Sequence, residues 1–429
     1  MAGDGLTGAA RTRPPIEARL AAAGLPPPGR TAWLEIDLDA LDQNLRLLRT
    51  LAGPGVRVEP VVKADAYGHG AVEVASSLEA AGADGFSVAT YDEAVELREA
   101  GIRTPILLLY PAPAWILHEA AEREIALTVG DEALFDRLLA AVAKDPPARP
   151  LSLAIEIETG LGRGGFDSRT AARVAATIRS TPALELAGTW SHLAAPGDAG
   201  RTRAQVSRFD AVLAVLDGDS AIGARHIAAS GGLLGGAPAY DAVRPGLAIY
   251  GVVPEDVADR AGAEAAGLRP VMALRARAVR VTELAAGHGV SYGPSFETER
   301  PSRVATLPLG YADGWPRALS NRARALVRGR SVPLVGTVAM DAVMADVTDV
   351  PGPPVSVDDE FTLLGSDGDR SIDVLELARL RTTISWEALS TMSGRLTRVY
   401  HRSAVPLATR SLGARRSVGP HRALERGHL

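Results

Sequence analysis

The chain has no cysteine, and aromatic residues make up only 4% of its 429 positions. The first absence removes disulfides, thiolate metal ligands and cysteine nucleophiles together, so stability rests on packing and any chemistry on other groups. It fits a cytoplasmic protein, and no metal site is expected. No run approaches the roughly 18 apolar residues of a membrane span. The opening MAGDGLTGAARTRPPIEARL lacks the continuous apolar core of a signal peptide. A dominant charge is missing too: 46 basic against 51 acidic residues give a net charge of −5. That field is too weak to hold nucleic acid or an anionic membrane surface. A small molecule is the expected ligand.

What is present is length and alternation. At 429 residues, 46% of them hydrophobic, the chain exceeds what one core usually supports, so two domains are expected. From Trp33 onward, short apolar runs alternate with amphipathic stretches, the pattern of βα units. Eight strands can be counted: VEPVVK, GFSVA, PILLLY, IALTV, LSLAIEI, LAGTWSH, RHIAAS and AVRPGLAI. Eight is the number that closes a (β/α)8 barrel of the TIM type. Leu38, Leu41, Leu45 and Leu48 fall three to four apart and predict a helix with one apolar face, with Asp39 as its N-cap. After about residue 268 the apolar period changes to two, which predicts a smaller, mostly β domain. The expected division is a loose leader over 1–28, the barrel over 29–268, the β domain over 269–404 and a disordered basic tail over 405–429.

Lys63 ends the first barrel strand in VVKADAYGHG, and the C-terminal ends of barrel strands are where such folds build active sites. Among apolar walls, burial disfavours the ammonium form and makes the amine nucleophilic enough for a Schiff base with an aldehyde. A surface lysine capping a strand end is the alternative, and the commoner case for an arbitrary lysine. Tyr67, Gly68, His69 and Gly70 follow at once, and a tyrosine hydroxyl beside a glycine turn suits a phosphate oxygen.

With these residues the segment resembles the cofactor-lysine signature of the alanine racemases, fold-type III enzymes that use pyridoxal 5'-phosphate. The resemblance covers roughly residues 30 to 403, with the later motifs in the family's order. It implies a barrel followed by a β domain, a homodimer with shared active sites, and interconversion of L- and D-alanine, a peptidoglycan precursor. Lys63 then carries the cofactor. Ser230 in HIAASGG, with the amides of Gly246 and Leu247 in VRPGLAIYG, holds the phosphate together with Tyr67. Glycine-containing turns aim N–H groups at an anion, and loops after strands seven and eight are the usual phosphate site of this barrel. Two ordinary turns are the alternative.

By the same resemblance Arg244 faces the pyridine nitrogen. Arginine donates hydrogen bonds without surrendering its proton, which makes the cofactor a weaker electron sink; pairing with Asp241 is the structural alternative. Tyr292 in GVSYGPSF matches the catalytic tyrosine that reaches the partner's barrel. Racemisation needs a base on each face, here Lys63 and Tyr292. A free tyrosine loses its proton only near about pH 10, so it needs a cationic network. His192 in TWSHLAAPGD belongs to that network in the family, although a lone histidine at a strand end can equally be a satisfied core residue. Met340 and Asp341 match the substrate-carboxylate segment, with Met340, like Tyr292, contributed by the other chain of the dimer. Arg163 in GLGRGGF offers its planar fork to the substrate carboxylate or the cofactor's phenolic oxygen, or else makes a surface ion pair. Tyr311 in GYADGWPR lines the substrate channel, or is a packed loop aromatic.

The chain departs from the family in places. Glu156 stands where many members carry a carbamylated lysine; it is expected to orient Arg163 directly, or to form a barrel-interior salt bridge without catalytic consequence. Trp386 replaces a phosphate-contacting tyrosine, and its indole donates one hydrogen bond but accepts none. Ala229 and Ala339 replace an asparagine and a cysteine. These changes leave open the racemisation of another amino acid such as serine. A decarboxylase of the same fold type would have a carboxylate where this chain has Arg244. A non-catalytic cofactor carrier, like some single-barrel relatives, would lack the second domain and Tyr292.

Overall fold

The computed structural model describes residues 13–216 and 222–417. Backbone contacts divide the chain into two compact units, one spanning Leu38–Val271 and the other made of the residues up to Asp37 with those from Met272 on. Helix α1 (Ile16–Ala22) and strand β1 (Ala32–Asp37) belong to the latter. The expected boundary near residue 29 is thereby corrected.

In the Leu38–Val271 unit a strand lies at each of the eight anticipated places: β2 (Arg57–Val58), β3 (Phe86–Val88), β4 (Ile106–Leu108), β5 (Ile125–Val129), β6 (Leu151–Glu156), β7 (Leu184–Trp190), β8 (Ala224–His226) and β9 (Ala242–Val243). The first and last are shorter than expected: VEPVVK keeps only Val58, so Lys63 opens a turn and does not end a strand, and AVRPGLAI keeps only Ala242–Val243. β3 to β8 form one sheet in chain order, with every neighbouring pair parallel, and β2 pairs in parallel with β9. Isolated bridges Val61–Ser87 and Ala229–Arg244 join the margins of these two sheets. Parallel strands buried on both faces read as near-continuous apolar runs, which is why they were legible. Helix α2 (Leu38–Ala52) buries Leu38, Leu41, Leu45 and Leu48, as their spacing predicts. Asp39 lies inside its first turn and not at the cap, because β1 leads into the helix without an intervening loop; the carboxylate still faces the positive helix end.

The other unit is built on β1, β10 (Met272–Arg277), β11 (Arg280–Leu284), β12 (Ser302–Leu307), β13 (Arg324–Val327), β14 (Arg330–Val335), β15 (Val343–Asp346), β16 (Glu360–Asp367), β17 (Arg370–Ile372), β18 (Thr397–Arg402), β19 (Val405–Ser411) and β20 (Ala414–Ser417). Their sheet runs β11-β12-β15-β14-β13-β16-β10-β1-β18-β19-β20, with β17 paired to β16. β1 belongs here because it lies between β10, antiparallel, and β18, parallel. The buried positions of β10 alternate, as the period of two predicts.

Two further expectations are corrected. Residues 13–28 are not loose, since Ile16, Leu20 and Leu25 pack with Trp33 and Val399 into one apolar cluster. Glu35 anchors the same segment through Arg13 at 2.7 Å and Arg19 at 2.8 Å. Burial pushes that carboxyl up, but Arg13, His401, Arg19 and Arg275 together hold it at about 2. Residues 405–417 are not disordered either: β19 pairs with β18 and β20 with β19. Composition misled because extending an existing sheet edge needs backbone pairing more than bulky side chains. The expectations for 1–12 and 418–429 lie outside the described residues. Among the described residues no helix is long and apolar enough to cross a membrane.

Candidate active site

Just after β2 the backbone takes an unusual course. Ala64, Asp65, Ala66 and Tyr67 all have φ of 53–54°, a left-handed turn of four non-glycine residues. Each such residue costs roughly 1–2 kcal/mol, so the turn persists only if its surroundings over-determine it. They do. Glu93 accepts from the N–H of Ala64 at 2.6 Å and of Ala89 at 2.8 Å, while its own helix is capped by Thr90. Asp65 accepts from the Ala71 N–H at 2.8 Å, and Tyr250 donates to the Val61 carbonyl at 2.9 Å. Buried His69 stacks on the Tyr250 ring at 4.4 Å.

The turn opens at Lys63 and runs through Tyr67. Burial pulls the Lys63 amine below its ordinary value, Arg163 adds to the shift and Glu93 opposes it. Its neutral, nucleophilic fraction is therefore enlarged. Burial pushes the Tyr67 phenol up, so it remains a hydrogen-bond donor. The N–H groups of Gly246 and Ala248 converge on the Ser230 Oγ at 2.9 and 3.1 Å. Leu247 between them is fully buried, and the Ala248 amide is a member the sequence did not single out. A Cβ on Gly246 would lie 2.5 Å from the Tyr67 hydroxyl oxygen, which ties Tyr67, Gly246 and Ser230 into one buried cradle with polar groups of the kind a phosphate uses.

Arg244 is buried beside this cradle. It donates to the Ser191 carbonyl at 2.8 Å and to His226 Nδ1, with its guanidinium 4.8 Å above the Trp190 ring. Burial and the Arg244 charge hold His226 well below its usual range, so it accepts as neutral imidazole. The alternative of an Arg244–Asp241 pair is excluded: Asp241 is taken by Arg225 at 2.7 and 2.9 Å. Burial, then the charges of Arg244, Arg163 and Lys63, hold His192 down at about 3. It too is neutral, and its pKa reflects the three cations it shares the site with. Gln205 fixes its backbone, donating to the His192 carbonyl at 3.0 Å and to Thr159 Oγ1 at 3.0 Å.

Glu156 is buried at the end of β6 and meets Arg163 at 3.4 Å; Arg163 also lies 5.2 Å from the Tyr110 ring centroid. Burial raises the Glu156 pKa while Arg163 lowers it, so the pair forms a partly compensated charge at the strand ends.

The remaining candidates stand on the other unit. The Ser291 hydroxyl donates to the Thr337 carbonyl at 2.6 Å, and the N–H groups of Tyr311 and Ala312 donate to the carbonyls of Ala339 and Met340 at 3.1 Å each. Gly310 permits this close approach, since a Cβ there would lie 2.1 Å from the Ala339 carbonyl oxygen. Tyr292, Met340 and Tyr311 are 73%, 51% and 42% exposed, large apolar surfaces that the rest of their unit leaves uncovered. Asp341 is held by Arg395 at 2.5 Å. Trp386 is half-buried in the short helix Ser385–Ser390. Sequence reasoning passed over His226, Trp190 and Ser191. Their signal was position: His226 ends β8 four residues before Ser230, and Trp190 and Ser191 directly precede His192.

The chain matches the N-terminal domain of alanine racemase over residues 36–254 and its C-terminal domain over 271–400. Alanine racemase of Syntrophobacter fumaroxidans is 40% identical over 363 residues, covering 83% of this chain and 94% of that protein. The Symbiobacterium thermophilum enzyme is 40% identical over 381 residues, covering 86% and 97%. Among solved structures, alanine racemase from Bacillus anthracis with bound L-Ala-P is 32% identical with a TM-score of 0.82, covering 89% of this chain and 98% of that one. The alanine racemase of D-cycloserine producing Streptomyces lavendulae is 36% identical with a TM-score of 0.78, covering 87% and 98%. On this combined ground, the chain belongs to the alanine racemase family.

Proposed function

We propose that the protein is a cytoplasmic homodimer that interconverts L- and D-alanine for peptidoglycan precursor supply, with Lys63 and the Tyr292 of the second copy as opposed bases. The eight strands β2–β9 are read as closing a (β/α)8 barrel that binds pyridoxal 5'-phosphate. The observation carrying this is a half-buried amine of lowered proton affinity four residues before Tyr67, which forms with Ser230 and Gly246 a cradle that suits a phosphate. The cofactor, when bound, supplies the aldehyde for Lys63 and the electron sink that acidifies a substrate α-carbon.

The chain's own residues divide the remaining work. Ser230, Tyr67 and the amides of Gly246 and Leu247 hold the phosphate, with Trp386 donating its indole N–H. Arg244 donates to the pyridine nitrogen without giving up a proton, and neutral His192 links it towards the phenol. Arg163, oriented by Glu156, binds a carboxylate or phenolate, while Met340 of the second copy presents its backbone amide, Asp341 stands beside it and Tyr311 limits side-chain size. Lys63 takes or returns the α-proton on one face.

Two measurements test the reading. A methyl group at Gly246 would overlap the Tyr67 hydroxyl, and overpacking a tight site costs about 1–3 kcal/mol. Gly246→Ala should therefore weaken cofactor retention roughly tenfold or more in equilibrium dialysis; unchanged retention would remove Gly246 from the cradle. For the substrate, wild type in deuterated water should label and racemise both alanine enantiomers, with serine at least about tenfold slower in kcat/KM. Faster serine turnover would support the second reading, which Ala229 and Ala339 favour.

A further inference from the structure

We infer that Glu59 is a positioning residue for Arg244: its buried carboxylate balances the guanidinium charge through space and leaves the arginine's donors free for the cofactor ring. The inference rests on the proposed cofactor site. It begins with register. β2 and β9 pair Arg57 with Ala242 and Val58 with Val243. One step further, the Glu59 N–H donates to the Val243 carbonyl and the Val61 N–H to the Pro245 carbonyl, each at 2.9 Å. Glu59 is thus the neighbour of Arg244 across the strand pair, and such neighbours project to the same face.

The carboxylate is accommodated and not merely trapped. It is 7% exposed and pairs with Arg57 at 3.0 Å. Opposite it, a Cβ on Gly85 would lie 3.0 Å from Glu59 Cγ and 3.2 Å from Cδ, so the glycine makes the room that the acid fills.

Arg244 needs such a counter-charge. Both groups it is hydrogen-bonded to, the Ser191 carbonyl and the His226 imidazole, are neutral. A buried cation without compensation is costly. Burial draws Arg244 down to about 10, and the charges opposing that shift are Glu59 first and Glu156 second. The groups facing Glu59 itself are Arg57, Arg244 and Asp84; burial raises its carboxyl, the two arginines lower it and Asp84 works against them. A carboxylate bonded directly to the guanidinium would consume donors. One acting through space offsets the charge and consumes none.

The test is Glu59→Gln in the cofactor-loaded full chain, which removes the charge and keeps the shape. The kcat for alanine should fall about tenfold with KM within about twofold, and the visible absorbance of the bound cofactor should titrate about one pH unit away from wild type. Glu59→Asp should restore the wild-type titration. Wild-type kcat and titration in Glu59→Gln would overturn the inference. Should Glu59→Gln lower the melting temperature, Arg57→Gln/Glu59→Gln removes the Arg57 charge that the single variant leaves unpaired and takes its place; wild-type values in that double variant overturn the inference equally. A wild-type protein that neither loads the cofactor nor racemises alanine or serine overturns the proposed function and Glu59's role with it. An active wild type beside an unaltered variant overturns Glu59's role alone.

Discussion

Lys63→Ala should abolish racemisation of both alanine enantiomers, with turnover falling by about 10⁴-fold or more, because removing a positioned general base alone costs about 10²–10⁴ and this amine is also the proposed covalent anchor. The physical basis is its setting. Burial and the nearby Arg163 both favour the neutral amine, and only Glu93 opposes them. The chain offers an unusually clean check, since its only lysines are Lys63 and Lys144. Lys144 ends the helix Glu132–Lys144, far along the chain from the cradle residues. Borohydride treatment of the loaded wild type should therefore fix one cofactor, on the peptide containing Lys63, and none in Lys63→Ala. Retained turnover in the variant, or an adduct found on Lys144, would end the assignment.

The parts of this site that could be read from the sequence are those whose signal is local. VVKADAYGHG and the glycine turns around Ser230 and Gly246 carry their residues within a few positions, and buried parallel strands such as Ile125–Val129 announce themselves by composition. The handedness of the turn after Lys63 was not legible. Alanine, aspartate and tyrosine give no sequence sign of positive φ, and the turn depends on Glu93, about thirty residues away, to hold it. The Arg244 surroundings were hidden for the same reason. Trp190 meets His226 and Glu156 meets Trp190 only through strand register, a non-local property. Asp241 looked like a partner for Arg244 by proximity in sequence, yet Arg225 holds it. At the N-terminal end, the ordering of Ile16, Leu20 and Leu25 within the expected leader was not legible. Their partners Trp33 and Val399 lie elsewhere in the chain.

Tyr292→Phe separates the two bases. The side chain is 73% exposed on its own unit, so its hydroxyl should matter little to the fold, with stability moving by less than about 0.5 kcal/mol. Racemisation should nevertheless fall by about 10²–10⁴-fold, the worth of one acid/base group. The remaining Lys63 still serves one face. One alanine enantiomer should consequently keep exchanging its α-proton with deuterated solvent, with retention of configuration, while the other becomes inert. Equal loss of exchange from both enantiomers would mean that the phenol is no base, and that a single group carries the proton across. Where the phenol comes from can be decided by mixing. Lys63→Ala lacks one base and Tyr292→Phe the other, so in a symmetric dimer with crossed sites every hybrid regains one intact site. An equal mixture that exchanges subunits should recover about a quarter of wild-type activity, since about half the dimers are hybrid and half of their sites are complete. If each chain used its own Tyr292, the same hybrids would contain no complete site and the mixture would stay inactive.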